Sequence, residues 1–189
     1  MTNARKLTET ALLLALGLSF QALRLIAPLF FAHLAGVLII GSLVNLVLFV
    51  AAGRVGLWGT IFIGIALPIF ASMQAHLPHI YLVPVVALGN CIIAIVWWLL
   101  HTKTKWCSQT ISMLIAAAFK FLFLWWAVPF AFRTFLYSGL ITIAPGTNST
   151  TILEMLVRNM SWPQLVTAII GGYLAIIVLR LLPKTLKNK

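Results

Sequence analysis

Residues 34–53 read Leu-Ala-Gly-Val-Leu-Ile-Ile-Gly-Ser-Leu-Val-Asn-Leu-Val-Leu-Phe-Val-Ala-Ala-Gly, a stretch without a single charge. A hydrocarbon core about 30 Å thick takes roughly 20 apolar residues as a helix, so this run is a membrane span by length and composition. Five further runs are similarly long and predominantly apolar: 8–27, 55–74, 80–100, 108–132 and 161–182. None alternates apolar with polar residues as a barrel strand would. The expected fold is all-α: an integral membrane bundle of six transmembrane helices, forming one membrane domain over residues 1–189.

Composition supports the same class. Apolar residues make up 62% of the chain and charged residues 8%, against about 45–50% and about 25% in soluble domains. That excludes a soluble enzyme, a nucleic-acid binder and a disordered segment. Arg5 and Lys6 ahead of an apolar run resemble a signal peptide, but the run continues to Ala27 and more spans follow, so it reads as the first span. The net charge of +11 reports orientation in the bilayer rather than affinity for nucleic acid. With six spans, Arg5, Lys6, Arg54, Lys103, Lys105, Arg180, Lys184, Lys187 and Lys189 fall on one side, and Arg133, Arg158 and, near it, Arg24 on the other. Both termini are therefore expected to be cytoplasmic. The tryptophans agree: Trp58, Trp97, Trp98 and Trp106 would form an inner belt, and Trp125, Trp126 and Trp162 an outer one.

Two acids, Glu9 and Glu154, are too few for a paired-carboxylate mechanism or a carboxylate metal cage. Cys91 and Cys107 do not have metal-ligand spacing, nor do His33, His76 and His79. No metal site and no catalytic centre are expected. The outer segment 133–160 is long and rich in turn formers. Glu154 and Arg158, four residues apart, suggest a short helix inside it. Ser161 ahead of Trp162-Pro163 is a candidate N-cap for the last span. Pro68, Pro84 and Pro129 are expected to kink their spans.

Several residues stand out inside the spans. Ala11 and Ala15 lie one turn apart, and Thr8, Ser19 and Ala22 extend a stripe of small side chains. Such stripes let helix backbones approach closely in lipid, either within the bundle or against another subunit. Arg24 lies about 180° around the helix from Ala15, at 100° per residue, on the side shared by Gly17 and Gln21. If the small stripe faces outward, Arg24 faces the bundle interior; otherwise it snorkels to the headgroups. Lys120 sits mid-span, where a charge costs at least ~2.5 kcal/mol and is usually functional. Asn45 and Asn90 are also intramembrane, each beside or one turn after a glycine, and must find hydrogen-bond partners. Arg24, Asn45, Asn90, Lys120 and Arg133 are the candidate substrate-binding residues.

The whole chain resembles the substrate-binding S component of energy-coupling factor (ECF) vitamin transporters. The resemblance rests on size and six spans, on Arg5-Lys6-Leu7-Thr8 leading into Ala11-Leu12-Leu13-Leu14-Ala15, and on Gly41-Ser42-Leu43-Val44-Asn45. Ser161-Trp162-Pro163-Gln164-Leu165-Val166-Thr167-Ala168, followed by Gly171-Gly172, also carries it. It implies a binding protein in a prokaryotic cell membrane that captures a vitamin or precursor near the outer surface. Ala11 and Ala15 would dock on a transmembrane coupling subunit driven by two cytosolic ATPases. The family's pocket residues vary and are not carried over.

The sequence contains no Walker A motif, so this chain would use no cofactor itself and ATP would be consumed by its partners. No internal repeat is evident, unlike many secondary transporters. The basic and amide candidates suit a neutral or anionic ligand better than a cationic one. A pyridoxine or hydroxymethylpyrimidine type is the first expectation, with pantothenate or cobalamin as alternatives. The rival reading is a six-span membrane scaffold without a small-molecule ligand. A membrane enzyme is disfavoured by the shortage of suitable groups.

Overall fold

The computed structural model describes residues 2–26, 34–74, 77, 79–101, 106–140 and 148–182. Among these residues seven helices follow in order: α1 (Asn3–Ile26), α2 (Leu34–Arg54), α3 (Leu57–Met73), α4 (Leu82–Leu100), α5 (Trp106–Tyr137), α6 (Ser149–Met160) and α7 (Trp162–Leu181). All regular structure among the described residues is helical. Among the described residues, five stretches are long and apolar enough to cross a membrane, the last of them combining α6 and α7; α3 is a shorter apolar helix. Its 17 residues span about 25 Å at 1.5 Å per residue, near the lower limit for a crossing.

Helix ends follow local chemistry. Gly56 breaks the chain between α2 and α3 with φ 88, a conformation that glycine adopts without a Cβ penalty. Of the three prolines, Pro68 and Pro129 lie inside α3 and α5. Pro84 is not a kink site: it falls in the first turn of α4, where its missing N–H has no helical partner to lose. The segment 133–160 is less loop-like than its composition suggests. α5 runs on to Tyr137, and α6 occupies Ser149–Met160. The short helix forms, but no ion pair joins Glu154 and Arg158, which are both exposed. Ser161 occupies the N-cap position of α7 without capping it. Its hydroxyl donates back to the Val157 carbonyl of α6, a common competing bond for serine.

The spans close into a ring. α1 packs on α2 and α3, α3 on α4, α4 on α5, α5 on α7, and α7 on α2, while α2 also reaches α4. The α2–α7 contact is the most extensive and is made possible by glycine. A Cβ on Gly41 would stand 2.7 Å from Thr167 Cγ2, and one on Gly171 would meet the Ser42 carbonyl oxygen and come within 2.8 Å of Leu46 N. Two apolar cores result. One, toward the ends of the chain, gathers Phe49, Ile63, Trp97, Met113, Ala168 and Ile176. The other gathers Tyr81, Leu82, Leu124, Val128, Phe132 and Leu156. Helix α6 is amphipathic and lays Leu156 into the second core, packing on α5 and α7.

The outer surface is apolar. Leu12, Phe62, Phe119, Trp125 and Phe130 are all more than half exposed, a surface suited to lipid rather than water. The chain is thus a multi-pass membrane protein by the character of its helices. On α1, Thr10, Gly17 and Gln21 are buried, whereas Thr8, Ala11, Ala15 and Ser19 are exposed. The small-residue stripe therefore faces away from the bundle. Glu9 ties α1 to α2 by accepting from Arg54 (3.3 Å) as well as from Arg5 (3.1 Å). Trp97 departs from the expected belt. It is fully buried against Phe49, edge to face at 5.1 Å, and stacks on His101 at 5.5 Å. Trp97 and Trp98 are neighbours about 100° apart, so one can point outward while the other enters the core.

Candidate functional site

Lys120 is among the largest fully buried side chains described, 2% exposed. On α5 it lies between Ala117 of one core and Leu124 of the other. Its Nζ donates to Asn45 Oδ1 on α2 and to Asn90 Oδ1 on α4, each at 3.0 Å. Two amide dipoles thus solvate the amine where no carboxylate is present. Hydrogen bonds to a charged group are the stronger kind, worth about 1.5–3 kcal/mol.

Each asparagine is held in turn by its amide nitrogen. Asn45 Nδ2 donates to the Gly41 carbonyl (2.9 Å) and to Thr167 Oγ1 (3.1 Å). Thr167 Oγ1 in turn donates a hydrogen bond to the Gln164 carbonyl at 3.1 Å. Asn90 Nδ2 donates to the Gly64 carbonyl on α3 at 3.1 Å. That acceptor is free for a sequence reason. Pro68 stands four residues beyond Gly64 and has no N–H to close the helical bond. Gly64 also lets the helices approach, since a Cβ there would lie 3.3 Å from Asn90 Cβ. With both amide nitrogens donating to fixed acceptors, both amide oxygens must turn toward Lys120.

The network forms the floor of a cavity of about 600 Å³. Each of α1–α5 and α7 contributes to its lining: Gln21 and Arg24 from α1, Val37, Ile40, Gly41, Val44 and Asn45 from α2, Leu67, Pro68 and Ala71 from α3, Val86 and Asn90 from α4, Lys120 from α5, and Pro163 and Gln164 from α7. Ile152, Met155, Leu156, Asn159 and Met160 of α6 close one side. These positions fall late on α1 and α3 and early on α2, α4 and α7, so the cavity lies in the half of the bundle away from Asn3 and Leu181. A cavity of this volume with mostly apolar walls and a few convergent polar groups is the usual form of a small-molecule site.

Two groups in the cavity are not satisfied. Gln21 Nε2 donates to the Leu67 carbonyl at 3.2 Å, but its Oε1 is buried without a partner. Arg24 Nε is likewise buried and unpartnered. His79 lines the cavity and stacks on Tyr81 at 5.1 Å, and Tyr81 stacks on Phe135 at 5.2 Å.

Of the five candidate binding residues, Arg24, Asn45, Asn90 and Lys120 line this one cavity. Arg133 does not: it is exposed and absent from the lining. At 100° per residue it points roughly 140° away from Lys120 on the same helix. His33 and His76 lie outside the described residues. Sequence reading missed the supporting role of Thr167 and the contribution of α6. Two spacings carried a signal. Gly41 and Asn45 on α2 match Thr167 and Gly171 on α7, both four apart, and Gly64 with Pro68 marks an open carbonyl. No protein-family model, curated protein or solved structure matches the chain.

Proposed function

We propose that this chain is the substrate-capturing subunit of an ECF-type importer, binding a vitamin or vitamin precursor in the cavity above Lys120. The observation that carries the reading is a buried amine, solvated by Asn45 and Asn90, at the floor of a cavity walled by helices α1–α7. A scaffold needs no such cavity, and maintaining buried polar groups in a bundle is costly unless they serve a ligand. In this reading both termini are cytoplasmic, the cavity opens toward the outside of a prokaryotic cell, and the chain catalyses no reaction. A transmembrane coupling subunit and two cytosolic ATPases supply the energy. The cavity volume suits a single-ring or pantothenate-sized ligand better than a corrinoid.

The exposed Ala11 and Ala15 form the docking face for the coupling subunit. Ala11→Trp and Ala15→Trp are expected to abolish ATP-driven uptake while ligand affinity stays within about twofold, since a bulky group keeps a partner backbone away without reaching the cavity. Uptake by cells carrying both variants, beside calorimetric binding to the purified proteins, checks this. Persistent uptake makes the alanine face a lipid-facing surface. Binding itself is tested by calorimetry on the full chain in detergent against B-type vitamins and precursors. Saturable binding of one compound supports capture. Silence from folded protein across the panel favours the scaffold.

A further inference from the structure

The charge inventory of the cavity restricts its ligand further. The entire chain has two acids, Glu9 and Glu154. Glu9 is engaged by Arg5 and Arg54, and Glu154 is exposed on α6 and absent from the cavity lining. Lys120 and Arg24 both line the cavity, and no carboxylate does. In its ammonium form, which a bound anion would favour, Lys120 has three N–H donors. Two of those on Lys120 are taken by Asn45 and Asn90, which leaves one for an occupant. Arg24 Nε is buried and also lacks an acceptor. Neutral amide oxygens lower the cost of burying the ammonium but supply no countercharge, and a buried unpaired ion is penalised by several kcal/mol.

The geometry points to an organic anion as the ligand: a small molecule with a carboxylate on a largely apolar body, its oxygens accepting hydrogen bonds from Lys120 and Arg24. This rests on the proposal that the cavity captures a ligand, and it selects an acidic molecule over an uncharged one. A phosphate dianion is a poorer match, because it seeks many convergent donors. These walls are mostly apolar, and two of the three Lys120 donors are already used.

The test compares matched pairs of acid and uncharged analogue on the full chain in detergent by calorimetry: 4-pyridoxate with pyridoxine, pantothenate with panthenol, and nicotinate with nicotinamide. One acid is expected to bind saturably, with its uncharged partner weaker by roughly tenfold or more, the worth of one charge-assisted hydrogen bond. Arg24→Gln, outside the lysine network, is expected to reduce acid affinity by a similar factor and to narrow the acid-to-neutral ratio. Lys120→Gln is expected to reduce both further. An uncharged partner binding as tightly as its acid overturns the anion inference and leaves capture standing. An unchanged ratio in folded Arg24→Gln removes Arg24 from the site and, with it, the two-cation basis of the inference. Folded protein that binds neither member of any pair counts against the capture reading and the anion inference together.

Discussion

Asn90→Leu is expected to destabilise the bundle more than Lys120→Met, although the lysine is the residue that carries the charge. Removing Asn90 takes one of two acceptors from a buried amine and leaves Lys120 with Asn45 alone. Leaving a buried donor short of one acceptor costs about 1–3 kcal/mol, and more when the donor is charged. Lys120→Met removes the charge together with its desolvation penalty. Its cost is two intramembrane hydrogen bonds, whose amide oxygens are left lining the cavity, on the order of 1 kcal/mol. The two changes should also be strongly non-additive. In a Lys120→Met background, Asn90→Leu forfeits chiefly the bond to the Gly64 carbonyl, about 1 kcal/mol. Pro68→Ala should reduce that remainder by returning a helical N–H to Gly64. Unfolding of the detergent-solubilised protein in a double-mutant cycle measures all of these. Additive costs would mean that Lys120 and Asn90 are not energetically coupled.

Gly171→Ala is expected to be the most damaging glycine substitution in the spans. A Cβ there meets the Ser42 carbonyl oxygen, Leu46 N at 2.8 Å and Asn45 Cβ at 2.9 Å. Most of these are backbone, so relief requires α2 and α7 to part along the tightest crossing of the bundle. A comparable clash at Gly53 is with Leu179 Cδ1 at 2.9 Å, the far end of a side chain that can rotate away. Overpacking a fixed site costs about 1–3 kcal/mol and at times more. For a chain of this size 3 kcal/mol lowers the melting temperature by roughly 6–12 °C. Moving α2 also carries Asn45 away from Lys120, so ligand affinity should fall along with stability. Gly53→Ala should be close to neutral, since better helix propensity, about 1 kcal/mol, offsets the adjustment of Leu179. Equal melting temperatures for Gly171→Ala and wild type would mean that the α2–α7 crossing yields more easily than its backbone contacts imply.

The fold was legible where the physics is local. Predominantly apolar runs of about 20 residues define helices in lipid because an unsatisfied backbone is too costly there. Helical phase alone placed Arg24 opposite the Ala11–Ala15 stripe, and the structure puts the stripe outside and Arg24 in the cavity. The same phase, applied from Lys120, would have turned Arg133 away from the cavity. The boundary of α5 was less legible, since Arg133 and Thr134 reduce hydropathy without ending a helix. α5 therefore extends past the expected end, and Phe135 and Leu136 provide surface for α6.

What the sequence determined by itself is the class of the molecule: apolar helices, an intramembrane lysine, and too few acids to balance it. Those are properties of composition and of single-helix periodicity. Only the tertiary structure decided which acceptors Lys120 would find. Asn45 and Asn90 lie 75 and 30 residues away along the chain, and nothing local relates their helices. Their meeting depends on how closely the helices cross. That is set by the absence of a side chain at Gly41, Gly64 and Gly171 and by the missing N–H of Pro68. Trp97 makes the same point: its type predicts an interface, but its partners Phe49 and His101 hold it in the core, because burial is determined by what a neighbouring helix presents to it.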